Sequence, residues 1–241
     1  MPGIYEQVRQ LLDDGDSFAA VEFLQSRGDA AAVAREYDAV VRDLYWQAKD
    51  LRSAIIVGRA GVCFCLTKSA DGPIDRRDDL RGMAKTLAYN MASFAWPGWA
   101  EKGIDIGPAE LSAGSDCAKL NLRLGVELKR TEKAMAAAQW LCGAWQMAND
   151  QWVDAERSFE QASALWATVG DVDAALMNQA YASLSRAWRQ PELTAAYEAS
   201  VAALDARGTD AARACAAQVR IAQSVFSQSL ANGSRPEVTQ S

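Results

Sequence analysis

Apolar positions recur along the chain at spacings of three, four and seven, the period of one helix face, and short polar joints interrupt them at intervals. At Leu11-Leu12-Asp13-Asp14-Gly15-Asp16-Ser17 an apolar run ends at Gly15, and Asp16 or Ser17 caps the helix that follows. Asn149-Asp150-Gln151-Trp152, Lys49-Asp50-Leu51 and Arg189-Gln190-Pro191 punctuate the chain in the same way. At Val169-Gly170-Asp171 and Arg207-Gly208-Thr209-Asp210 a glycine closes one helix and an aspartate opens the next. The pattern predicts five antiparallel helix pairs, 3–14 with 17–27, 29–48 with 51–69, 76–95 with 108–130, 133–148 with 151–168 and 172–188 with 191–206, and a closing helix over 210–230. Residues 232–241 carry no periodic apolar positions and read as a disordered tail.

The paired helices share small and large residues at one spacing. Ala155, Phe159 and Ala162 stand where Ala118, Leu122 and Gly125 stand one pair earlier, and Ala54, Gly58, Gly61 and Ala20, Leu24 repeat the pattern more weakly. Gly125 lies 18 residues before Gly143, and Ala162 lies 18 before Ala180. On these residues, with Leu141-Cys142-Gly143, the run from Ala164 to Ala180 and the turn from Gly15 to Ala20, the chain resembles the tetratricopeptide repeat family in its longer-period variants. The likeness is strongest over 135–208 and weakest over 70–117. Gln146 departs from it at an aromatic position and Ala167 at the usual terminal proline.

The resemblance implies an all-α solenoid of stacked hairpins, one repeat domain over 1–231, with the first helix of each pair lining a concave groove. The family's register places Tyr5 and Arg9, Glu36, Asp43 and Trp46, Tyr89 and Ser93, Trp140 and Met147, and Met177 and Tyr181 on that inner side. Such a groove suits an apolar or aromatic-bearing peptide or a partner helix. The basic array with which some family members clamp an acidic tail is missing, since Arg9 stands there without one.

The stretch from Ser93 to Pro108 breaks the pattern with Trp96, Pro97, Gly98, Trp99, Gly103, Gly107 and Pro108. Pro97 ends the incoming helix and Pro108 opens the outgoing one, so the break is a long loop within a pair. Its two indoles have two possible destinations: they plug the end of the pair against a neighbouring hairpin, or one of them lines the edge of a ligand groove. The candidate partner-binding set is therefore Trp46, Tyr89, Trp96, Trp99, Trp140, Met147 and Tyr181.

Composition narrows the functional classes. Half of the 241 residues are hydrophobic, enough for a packed core, and the formal net charge of −6 with no concentrated basic face argues against a nucleic-acid partner. No leader-like segment opens the sequence. The longest apolar stretch, from Ser53 to Leu66, contains Arg59, so the expectation is a cytoplasmic protein with no membrane partner. The five cysteines fall in apolar helical patterns and read as buried free thiols.

The chain contains no histidine, which removes the commonest general base and imidazole ligand. Asp75-Arg76-Arg77-Asp78-Asp79 has the wrong order for a magnesium-binding prenyl-transfer box and reads as a helix N-terminus. Gly58-Arg59-Ala60-Gly61 lacks the strand and lysine of a phosphate loop and reads as close helix packing. The expectation is a protein-interaction scaffold with no catalytic residues, metal or cofactor and an oligomeric state left open. The alternative is a ligand- or peptide-sensing regulatory domain with an enclosed aromatic pocket.

Overall fold

The computed structural model describes residues 3–71 and 74–231 of the chain. Among them the protein is all α, with helices α1 (Ile4–Asp13), α2 (Ser17–Gln25), α3 (Ala30–Trp46), α4 (Leu51–Asp71), α5 (Ile74–Phe94), α6 (Pro108–Glu127), α7 (Glu132–Ala148), α8 (Trp152–Thr168), α9 (Val172–Arg189), α10 (Thr194–Ala206) and α11 (Asp210–Ala231). Two single 3-10 turns, Pro97–Trp99 and Pro191–Leu193, complete the list. The tail expected over 232–241 lies outside the described residues.

The joints work largely through the residues that the sequence singles out. Asp16 accepts the backbone N–H of Ala19 at 2.8 Å, Asp50 that of Ser53 at 3.0 Å and Asp171 that of Ala174 at 3.0 Å, each filling a donor that the first helical turn leaves open. Three joints differ in detail. Thr209, not Asp210, caps α11, its hydroxyl accepting the N–H of Ala212 at 3.0 Å. Asp150 does not cap α8 but turns the chain in the left-handed region at φ 59°, where a short polar side chain is tolerated. After Arg189 the chain makes its 3-10 turn before α10 begins at Thr194, because Pro191 supplies no N–H and Leu193 bonds back to the Gln190 carbonyl.

Backbone contacts group the chain into two compact units: Met1–Ala95 with Gly103–Lys129, and Trp96–Lys102 with Arg130–Ser241. The single repeat domain expected over 1–231 is therefore described as two parts, the seven residues 96–102 packing with the second.

In the first unit α4 packs against α3 and α5, and α5 against α6. About half of α4 is buried, and an exposed stripe runs along Arg52, Ile56, Arg59, Cys63 and Thr67, with Lys68 and Ala70 also exposed near its end. Its 20 residues Leu51–Ala70 are apolar and long enough to cross a membrane by length and composition, a longer stretch than the one ending at Leu66. The faces that α3 and α5 cover, and the arginines on the stripe, make it the core helix of this bundle. Gly61 is required here: a Cβ would lie 2.8 Å from Cγ of Tyr37 and 3.0 Å from Leu87. Polar ties also hold α5 in place, the Asn90 amide donating to Asp38 at 2.8 Å and the Asn121 amide to the Lys85 carbonyl at 2.9 Å.

In the second unit α7 packs on α8, α8 on α9, α9 on α10, and α11 on both α9 and α10. Ala155, Phe159, Ala162 and Ala180, the residues that carry the repeat pattern, are fully buried. The small-large pairing has a direct cause: a Cβ on Gly143 would lie 2.9 Å from the Phe159 ring, so glycine lets α7 and α8 approach. Ion pairs run along the surface of the stack, with Arg186 reaching Glu156 and Glu160 and Arg207 reaching Asp173.

Candidate functional site

The segment 96–102 makes its own small structure before it meets a helix. Pro97 halts the helical ladder, the N–H of Ala100 closes a 3-10 turn on the Pro97 carbonyl at 3.1 Å, and Ala100 takes a left-handed conformation at φ 48°. The Trp96 indole folds back over Gly98 so closely that any Cβ there would strike the ring. Glycine at 98 is thus the condition for the indole's placement.

Against this turn the second unit sets residues from three helices. Trp140, Ala144 and Met147 share one face of α7 by their spacing, while Tyr181 comes from α9 and Phe226 from α11. The Trp96 ring meets Trp140 edge-on at 5.6 Å between centroids, Tyr181 at 6.2 Å and Phe226 at 6.1 Å, and its indole N–H donates to the Ala144 carbonyl at 2.9 Å. Trp99 stands edge-on to Trp96 at 5.1 Å and reaches Trp140 at 5.6 Å. Phe159 stacks on Tyr181 at 4.9 Å from behind. Edge-to-face contacts at these separations are favourable beyond the area they bury.

Not every polar atom in the cluster is satisfied. Nε1 of Trp140 is buried with no hydrogen-bond partner, and the buried Tyr181 hydroxyl has no well-aligned one, only the Gln218 side chain approaching it. Burial pushes the Tyr181 phenol well above its ordinary range, the Gln218 side chain offsetting that only in part.

The seven sequence-selected residues divide between the units. Trp96, Met147 and Tyr181 are fully buried and Trp140 nearly so, while Trp99 is half-buried at the margin. The Trp96 indole is buried within the second unit. In the first unit Tyr89 is half-buried, and burial pushes its phenol up as well. Trp46 is 56% exposed, at the corner where Tyr45 and Phe94 stack face to face at 3.9 Å. It stands edge-on to both rings, and the Lys49 ammonium lies 5.3 Å from its centre.

No family model matches the chain, and no curated protein does.

Two further features bear on chemistry. Among the described residues no group of three or more cysteine, aspartate and glutamate side chains is placed to hold a metal ion. An open cleft of about 380 Å³ in the second unit is lined by Lys133, Trp166, Asp171, Asp173 and Arg207. There Asp173 accepts from Arg207 at 2.8 Å and from Thr209 at 2.7 Å, and these bonds hold its carboxyl below the usual range. A carboxylate so paired is a structural clamp between the start of α9 and the joint before α11, the opposite of a proton-holding acid.

The cysteines depart from the expectation of uniform burial. Cys65, Cys117 and Cys142 are buried, but Cys63 lies on the exposed stripe of α4 and Cys215 is half-buried. Burial pushes the Cys65 thiol up to about 12 and Cys117 to about 11.

The sequence reading also missed two contributors to the aromatic site. Phe226 ends a buried run, Ala212, Ala216, Val219, Ala222, Phe226, whose spacing was visible in the sequence although α11 was assigned only a closing role. The Ala144 carbonyl carries no sequence signal at all.

Proposed function

We propose that the chain is a non-catalytic interaction scaffold of tetratricopeptide-like hairpins that binds a protein segment on an aromatic inner face. The observation that supports this reading is the second unit's treatment of residues 96–102. A short turn without an α-helix is held by rings from α7, α9 and α11 and by one backbone carbonyl, and a face of this chemistry suits an aromatic-bearing peptide of a partner. The rings touch one another at 5.1–6.4 Å rather than lining a void, which favours the scaffold over a sensor with an enclosed pocket.

In the first unit, Phe18 and Trp46 are large aromatics that remain open to a partner, and of the two the tryptophan is the residue type on which interfaces most often depend. Affinity capture from cells with the wild type and with Trp46→Ala tests the reading. A protein retained by the wild type and lost from a variant of unchanged helical content supports a scaffold. Identical retention by the wild type, Trp46→Ala and Tyr89→Ala counts against it.

A further inference from the structure

We propose that the face formed by Trp140, Met147, Tyr181 and Phe226 is a receptor for a turn-forming segment of the form Trp-x-Gly-Trp from a partner protein. Residues 96–102 occupy that face in cis and keep it closed. The inference rests on the scaffold reading and gives it a ligand and a means of control.

Three observations carry it. The first is that the hairpin joint does not need this segment. Other joints turn in three residues, 149–151 and 169–171, whereas 95–107 runs thirteen residues without an α-helix and packs seven of them with the second unit. The second is the specificity of the contacts. Both indoles reach Trp140, at 5.6 Å each, and Trp96 makes a directed hydrogen bond to Ala144, while the Cβ restriction at Gly98 fixes the third residue of the motif. The third is that the fit is incomplete. Trp140 Nε1 lacks a partner, and Ala100 is held in a conformation that non-glycine residues disfavour. A partner segment that carries the same two indoles and offers a carbonyl or carboxylate to the Trp140 N–H binds better than the resident one.

Release is local. Pro97 and Pro108 already mark the helix ends, and Gly103 and Gly107 lie between, so the segment leaves without unwinding α5 or α6. A short tether gives the resident segment an effective concentration on the order of millimolar, so a free peptide of micromolar affinity competes poorly until the tethered copy is disabled.

The probe is a fluorescein-labelled synthetic peptide with the sequence of residues 93–103, followed by anisotropy against the full chain and against the double variant Trp96→Ser, Trp99→Ser. The variant is expected to bind it on the order of 1,000-fold more tightly than the wild type, by the tether arithmetic above. A peptide with both tryptophans replaced by alanine is expected not to bind. Where the double variant loses helical signal, added peptide is expected to restore it, because a ligand that binds only the folded state stabilises it by mass action. The proposal is overturned if the variant neither binds the peptide nor regains helicity with it, if the wild type binds as tightly as the variant, or if the tryptophan-free peptide binds equally well. Any of these with Trp46-dependent capture intact removes only the cis occupant. Loss of Trp46-dependent capture with peptide binding intact removes the scaffold reading as drawn for the first unit.

Discussion

Two aromatic clusters in this protein start from the same sequence logic and end differently. In the first unit Tyr45, Trp46 and Phe94 gather at the ends of α3 and α5, and Trp46 stays open to solvent. In the second, Trp140, Tyr181 and Phe226 gather on α7, α9 and α11, and the Trp96 indole closes over them. The helical register places both Trp46 and Trp140 on the inner face, yet one is 56% exposed and the other 5%. Register decides which residues share a face. A loop arriving from elsewhere in the chain decides whether that face is core or surface.

The sharpest way to break the contrast is to remove the covering ring. Trp96→Ala deletes a fully buried indole, its contacts with four aromatic rings and a hydrogen bond, and large-to-small changes of this kind cost about 3–5 kcal/mol. The urea midpoint followed by far-UV circular dichroism is expected to fall by an amount matching that cost at unchanged slope. A shift no larger than that of an exposed substitution would mean that Trp96 does not belong to the core of the second unit.

How far the sequence reaches is set by the same distinction. The helix pairs were legible because caps and apolar period act over a few residues: Asp16 and Asp171 cap three residues ahead, and α7, α8 and α9 start and stop within a residue or so of the expected bounds. The aromatic face was legible as a set of residues. Its closure was not, because the hydrogen bond that seats Trp96 joins positions 48 apart and ends on a backbone carbonyl, which no side-chain pattern marks. Cys63 eluded the reading for a related reason. Residues two apart on a helix point to different sides, so Cys65 faces the core and Cys63 does not, and which side is which depends on how α3 and α5 pack.

Glycines give a second, smaller test that treats the two units alike. Gly61→Ala and Gly143→Ala each push a methyl against a buried ring, Tyr37 in one unit and Phe159 in the other, where overpacking costs about 1–3 kcal/mol. Alanine's better helix propensity returns about 0.5–1 kcal/mol, so a net loss of about 1–2 kcal/mol is expected at both sites. Gly58→Ala is the contrast. Its new methyl would meet Sδ and Cγ of Met91, a buried but unbranched chain that adapts at lower cost than a ring, and the expected net loss is smaller, about 1 kcal/mol or less. Thermal unfolding of the three variants ranks them, and a Gly58→Ala variant as damaged as the other two would remove the distinction between ring and thioether.

Alkaline pH probes the cluster without removing carbon. The phenols of Tyr181 and Tyr197 are both pushed up by burial, Tyr197 to about 12, against about 10 in the unfolded chain. The folded state therefore holds these protons more tightly than the unfolded state does. The stability that this linkage contributes is complete below about pH 10 and is lost as pH rises toward and through the folded values. Tyr181→Phe removes one such proton along with a buried hydroxyl that has no well-aligned partner, so it is expected to leave stability at neutral pH nearly unchanged and to flatten the decline above pH 10. An unchanged alkaline slope in that variant would show that the Tyr181 phenol ionises as freely in the fold as outside it.

The smallest expected effect on stability falls at the other end of the comparison. Trp46→Ala removes a ring already largely in water, so what is lost is edge contact with Tyr45 and Phe94 and the cation–π approach of Lys49, together about 1 kcal/mol or less. Tyr45 and Phe94 remain stacked at 3.9 Å, so the corner beneath keeps its shape. A tryptophan that contributes little to the fold while standing exposed on a scaffold is informative because the two roles separate: the urea midpoint stays nearly fixed while partner retention falls. A large drop in the midpoint would instead place Trp46 among the residues that hold α3 and α5 together, and the two clusters would then differ only in depth and not in role.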